Sequence, residues 1–127
     1  ELFVSVADPG AVGLSSVAGM LAPGRRGVHV RLASDPADAR VVLDVALAPG
    51  LVTPMAVAGF ATLEPGERVA VAADGAALAL DGEREIERRG DDGATVHLAD
   101  GPRRIDVDAV MRDAAGANAT HMQPAAG

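Results

Sequence analysis

Cysteine is absent from this chain, and with it disulfides, thiolate metal sites and cysteine nucleophiles. That usage fits a cytoplasmic protein. Lysine is absent as well: all 11 basic residues are Arg, set against 18 Asp and Glu for a formal net charge of −7. Nucleic acid or an anionic membrane as main partner would need a basic face, so the balance argues against both. Aromatic residues are nearly missing, with two Phe and no Trp or Tyr, so any core must be aliphatic. No apolar run is long enough to cross a bilayer as a helix, and the first residues lack a signal-peptide pattern.

What is present is one domain's worth of chain. Its 127 residues are 49% apolar, mostly Ala, Val and Leu, enough to bury roughly two-thirds of the unfolded surface. Arg in place of Lys, with abundant Ala, Gly and Val, points to a GC-rich bacterial genome. The chain opens at Glu1, without Met and directly before an apolar run, and so reads as a piece of something longer.

The stretch Ala7-Asp8-Pro9-Gly10-Ala11-Val12-Gly13-Leu14-Ser15-Ser16-Val17-Ala18-Gly19 organises the rest. A strand-like run over residues 2–6 feeds into it, and Pro9-Gly10 forces a turn. Beyond Gly13, apolar Leu14, Val17, Ala18 and Leu21 recur at helical spacing. Free backbone N–H groups at such a helix start, beside the Ser15 and Ser16 hydroxyls, can hold a polar or anionic ligand. On the residues alone a plain strand–turn–helix connection without ligand is the expected reading, since glycine-rich turns outnumber binding loops.

Downstream, residues 28–32 alternate strictly between apolar and polar, and residues 40–47 form a more continuous strand ended by Pro49-Gly50. Residues 51–52 and 55–58 follow, with Pro54 marking an edge or a bend. Residues 68–72 alternate again, and Asp74-Gly75 predicts a hairpin returning through residues 77–80. Asp81-Gly82 breaks that run before a solvated strand over residues 83–89. Further strands are expected over 94–98 and 104–107, then a helical turn at 108–113 and a disordered tail over 114–127. Eight or so short strands predict a mainly β domain over residues 1–113, with a two-sheet, β-sandwich-like fold and one short helix after the Gly13 turn.

Chemistry-bearing residues are sparse. His29, His97 and His121 are the only imidazoles and lie far apart. The first two fall on the polar phase of alternating strands, where His is ordinarily solvated, so no metal site is expected. Gly13-Leu14-Ser15-Ser16-Val17 lacks the second glycine of a nucleophile elbow. Gly90-Asp91-Asp92-Gly93 is similar to a phosphate-binding Gly-Gly-Asp-Gly motif, but it lies between strand-like runs, as a hairpin turn does. No catalytic residue is expected within this chain.

Three segments taken together carry more. Asp8-Pro9-Gly10-Ala11-Val12-Gly13-Leu14-Ser15-Ser16, Ala48-Pro49-Gly50-Leu51-Val52-Thr53-Pro54-Met55 and Leu78-Ala79-Leu80-Asp81-Gly82-Glu83-Arg84-Glu85 occur in this order. So read, the chain resembles the C-terminal half of ATP-NAD kinase-like proteins, and within them the acetoin-catabolism X (AcoX-type) branch. In NAD kinases proper, the first loop reads Gly-Ser-Thr-Ala-Tyr and the later motif Asp-Gly-Gln. Gly13-Leu14-Ser15-Ser16 and Asp81-Gly82-Glu83 would match these with substitutions that speak against true NAD kinase activity.

The resemblance implies a C-terminal β domain facing an N-terminal α/β domain, with a nucleotide or dinucleotide between them. Gly13, Leu14, Ser15 and Ser16 would line that crevice, with Asp8 near its mouth. Asp81 and Gly82 would either support the same site or only shape the sheet. NAD or ATP is the implied ligand. Mg²⁺, the catalytic Asp and the phosphate-binding glycines would belong to the N-terminal domain, so the chain alone is expected to be inactive even if its parent is a phosphotransferase. The alternative is a structural and oligomerisation module without a ligand of its own; assembly into a homo-oligomer is compatible with either.

Overall fold

A computed structural model describes residues 1–71, 77–80, 84–87, 93–101 and 105–120. Asp74, Gly75, Asp81, Gly82, residues 90–92 and His121 lie outside the described residues. The fold is mainly β. Strand β1 (Leu2–Val6) leads to helix α1 (Ser15–Leu21), then β2 (Arg26–Leu32), β3 (Val41–Ala48) and β4 (Leu51–Thr62). These four strands make one antiparallel sheet in the order β1-β2-β4-β3.

Alternation decides which face of that sheet is buried. Val28 and Val30 of β2, Val45 of β3 and Val57 of β4 are completely buried, and α1 covers them with Val17 and Ala18. Leu2, Val4, Leu43 and Met55 extend the same face. An extra residue of β4, set between the partners of Arg31 and Leu32, shifts the register there. This bulge is what puts Val57, rather than its neighbour, on the core side. The opposite face carries small or half-exposed residues, among them Val42 and Val52.

Several expectations from sequence hold. One short helix follows the Gly13 turn, and Pro49-Gly50 closes a two-residue hairpin between Ala48 and Leu51. Residues 51–62 form one strand rather than two. Pro54 is tolerated because its stretch of β4 pairs with β3 alone, whereas β2 pairs only from Val57 onward.

The rest of the β structure is paired differently from the local turn signals. Strand β5 (Arg68–Ala70) pairs with β8 (Thr95–His97), and β6 (Ala77–Leu80) pairs with β7 (Arg84–Glu87). Among the described residues β5 and β6, the two arms of the expected hairpin, do not pair with each other; β5 takes a non-local partner instead of the nearer strand. The β6–β7 ladder instead closes across residues 81–83, from Leu80 to Arg84.

The C-terminal expectations need correction. Ile105 and Asp106 are not in a strand, and helix α2 runs Val107–Thr120, through much of the segment expected to be disordered. Asp106 caps it: its Oδ1 accepts the Ala109 N–H at 2.9 Å, and its carbonyl accepts Val110 N–H at 3.0 Å. A cap followed by Ala at 109, 114, 115, 117 and 119 is helix-forming despite the Gly and Asn between them.

Candidate functional site

The Asp8–Gly13 turn is built by its own backbone. Asp8 Oδ1 accepts the Gly10 N–H at 2.8 Å, and the Asp8 carbonyl accepts Ala11 N–H at 3.1 Å. Such an Asx turn is what Asp before Pro-Gly provides. Below it, buried Ala7 exchanges two bonds with the segment before β2: its N–H donates to Arg25 O, and its carbonyl accepts Gly24 N–H, both at 2.8 Å. The turn is thereby fixed to the sheet at its first residue.

At its other end Gly13, with φ +94°, donates its N–H to Ala46 O on β3 at 2.9 Å. Strand β3 is an edge of the sheet, so this bond also covers part of an otherwise open strand. It brings the first and second of the three sequence segments together, because Ala46 lies just before the β3–β4 turn that carries Pro49 and Gly50. Of the third segment, the described residues lie on β6 and β7, which pair with each other and, among the described residues, with no strand of the larger sheet; Asp81 and Gly82 lie outside the described residues.

The four residues after the turn divide by exposure. Ser16 is buried, and its hydroxyl donates to Gly13 O at 2.6 Å while its N–H donates to the same oxygen at 3.1 Å. Its proton is therefore committed within the turn. Leu14 stands half-exposed and Ser15 is intermediate. No side chain caps α1, and the N–H groups of Leu14 and Ser15 have no partner among the described residues. The site's available donors are these two N–H groups and the Ser15 hydroxyl, with the Asp8 carboxylate exposed nearby in sequence.

Two features escaped the sequence reading. Gly19 packs against the Asp8-Pro9 backbone so closely that a Cβ there would lie 3.1 Å from Pro9 Cα and overlap the Asp8 carbonyl oxygen. Its place inside an apolar helical stretch was the available signal, since glycine there costs helix stability unless contact requires it. His29 is not solvated. Its ring stacks on Phe3 at 4.4 Å between centroids and 3° between planes, and its Nε2 is buried, 3.6 Å from Glu1 Oε1. Among the described residues, no three His, Asp or Glu side chains gather as a metal site would.

Comparison with known proteins gives the lineage. Residues 1–101 match the family model of the acetoin catabolism protein X C-terminal domain. Acetoin catabolism protein X of Cupriavidus necator is 46% identical over 118 residues, which cover 89% of this chain and 33% of that relative. The chain thus spans about a third of the length of the curated relative it matches. No solved structure matches. With a matched family model over most of its length, the chain belongs to the acetoin catabolism protein X C-terminal domain family.

Proposed function

We propose that this domain supplies one wall of a nucleotide- or dinucleotide-binding crevice in an acetoin-catabolism protein of ATP-NAD kinase-like type. The observation that carries the proposal is the Gly13 turn. Among the described residues it leaves the Leu14 and Ser15 N–H groups without partners at a helix start, beside the partly exposed Ser15 hydroxyl and the β3–β4 turn. Phosphate and ribose oxygens are acceptors suited to such donors. Ser16 supports the turn rather than meeting ligand directly, and Asp8 holds the loop's shape through Gly10. Asp81 and Gly82 belong to the proposal through the sequence resemblance alone.

NAD or ATP fits the donors, but no cation lies on the turn from Asp8 to Ser16. Phosphoryl transfer needs charge neutralisation and in-line positioning, so Mg²⁺ ligands and the catalytic carboxylate would come from the N-terminal α/β domain. The domain alone is proposed to hold ligand without turning it over. In the full-length parent, Ser15→Ala should weaken NAD or ATP binding about fivefold, the value of one hydrogen bond, with oligomeric state unchanged. Unaltered affinity in a correctly assembled variant would refute the site.

A second reading is supported by a different observation. The outer face of the β3–β4 hairpin exposes Val42 and Val52, 58% and 61% accessible, with Ala46 and Ala56 as their paired neighbours. This face suits a structural or oligomerisation role, and it can coexist with the crevice.

A further inference from the structure

Where the four-stranded sheet meets the β5–β8 ladder, two adjoining hollows share Leu63, Leu98 and Ala99. One, of about 240 Å³, is lined by Phe3, Val28 and Val96 with Ser5 and His97 as its polar members. The other, of about 200 Å³, holds Arg25 and Arg26 together with Glu64 and Asp100. None of the Gly13 turn residues lines either.

The walls are fastened by main-chain bonds. Leu63 N–H donates to Gly27 O at 2.6 Å, Gly66 N–H donates to Leu98 O at 2.9 Å, and Pro65 forms a parallel bridge with Leu98. Leu98 packs so close to Gly27 that a Cβ there would lie 2.7 Å from its Cδ2. The two arginines are anchored at their backbones. Arg25 O accepts Ala7 N–H, Arg25 N–H donates to Ala22 O at 3.1 Å, and Arg26 pairs with Val6 as β2 begins.

Their charge is not spent. In a chain with 18 acidic and 11 basic residues, neither guanidinium has a carboxylate within ion-pair distance among the described residues. Glu64 and Asp100 share the hollow without closing on them. Beside this pair lies an apolar space with Phe3 at its border, its ring steadied by the parallel stack on His29. Arginine recognises planar carboxylates and phosphates through paired N–H donors, and an aromatic ring favours a second ring.

We propose that this cleft binds a flat aromatic monoanion or phosphate monoester, its acidic group on Arg25 and Arg26 and its ring in the apolar hollow against Phe3. The carboxylates of Glu64 and Asp100 select against small, highly charged ions, because they repel any anion that lacks apolar contact to compensate.

Nitrogen-15 NMR titration of the chain with phenyl phosphate, benzoate, inorganic phosphate and phenol tests this. Phenyl phosphate or benzoate should shift Gly27, His97 and Ala99, and whichever binds tighter identifies the acidic group. Inorganic phosphate and phenol should each bind about tenfold more weakly, as each lacks one half of the contact. The exposed double variant Arg25→Gln/Arg26→Gln should lose about tenfold for both aromatic anions. Phe3→Leu, which keeps the guanidiniums, should erase any preference for phenyl over cyclohexyl phosphate. Equal affinity for inorganic and phenyl phosphate, retention of binding in the arginine variant, shifts centred on residues 8–19, or no saturable shift at millimolar concentrations would each overturn the proposal.

Discussion

Replacing Gly19 by Ala sets two effects against each other. On an open helix surface the change stabilises by about 1 kcal/mol, because alanine loses less backbone freedom on folding. In α1 the new Cβ would overlap Asp8 O and lie 2.8 Å from Asp8 C. The atoms it meets are main chain, in a turn held by both Ala7–Arg25 and Gly24–Ala7 bonds at 2.8 Å. They cannot swing aside as a long side chain would. Relief requires α1 to lift from the sheet, and α1 covers the core with Val17 and Ala18. Overpacking of this kind costs about 1–3 kcal/mol, and rigid main-chain neighbours place it at the upper end. Set against the propensity gain, a net loss of about 2 kcal/mol is expected. Urea unfolding followed by far-ultraviolet circular dichroism reads it, as the chain has no Trp or Tyr to report by fluorescence. The midpoint should fall at constant m-value. A variant as stable as the parent, or more so, would refute the packing of α1 on the Asp8 turn.

Other substitutions separate core, surface and cap. Val57→Ala, at a fully buried position, should cost about 2 kcal/mol in the same unfolding assay, whereas Val52→Ala on the open face should change stability by less than about 0.5 kcal/mol. Asp106→Ala removes the α2 cap and should destabilise that helix by about 1 kcal/mol, read as fraying of residues 107–110 in amide exchange without loss at β2. His29→Phe keeps the stack on Phe3 but removes a buried nitrogen without a hydrogen bond, and should raise stability by about 1 kcal/mol.

The sequence was most legible where local chemistry and burial agree. Val28 and Val30 alternate with polar neighbours because one face of β2 meets α1, and Pro49-Gly50 is a hairpin turn by its own residue preferences. It misled where a local signal competed with a distant partner. Nothing in residues 68–70 announces β8, about 25 residues away, as a better partner than the strand just downstream. Ala-rich composition also looks alike in a tail and in a capped helix, and only Asp106 distinguished them. Within the site, the turn and the two serines were readable, but their division of labour was not. Which hydroxyl points inward depends on α1's phase against the sheet, and that places Ser16 on Gly13 O. The cleft at Arg25 and Arg26 was beyond reach for the same reason, since Leu63 and Leu98 come to it through non-local pairing.

The ligand role of the Gly13 turn is decided by titrating the full-length parent with NAD and ATP, with and without Mg²⁺, while amide signals of this domain are followed. Saturable shifts of the Leu14 and Ser15 N–H groups, needing about fivefold more ligand to saturate in Ser15→Ala, are the expected outcome. Unmoved signals across residues 8–19 at millimolar ligand would mean that the turn is a connection and the domain a structural module.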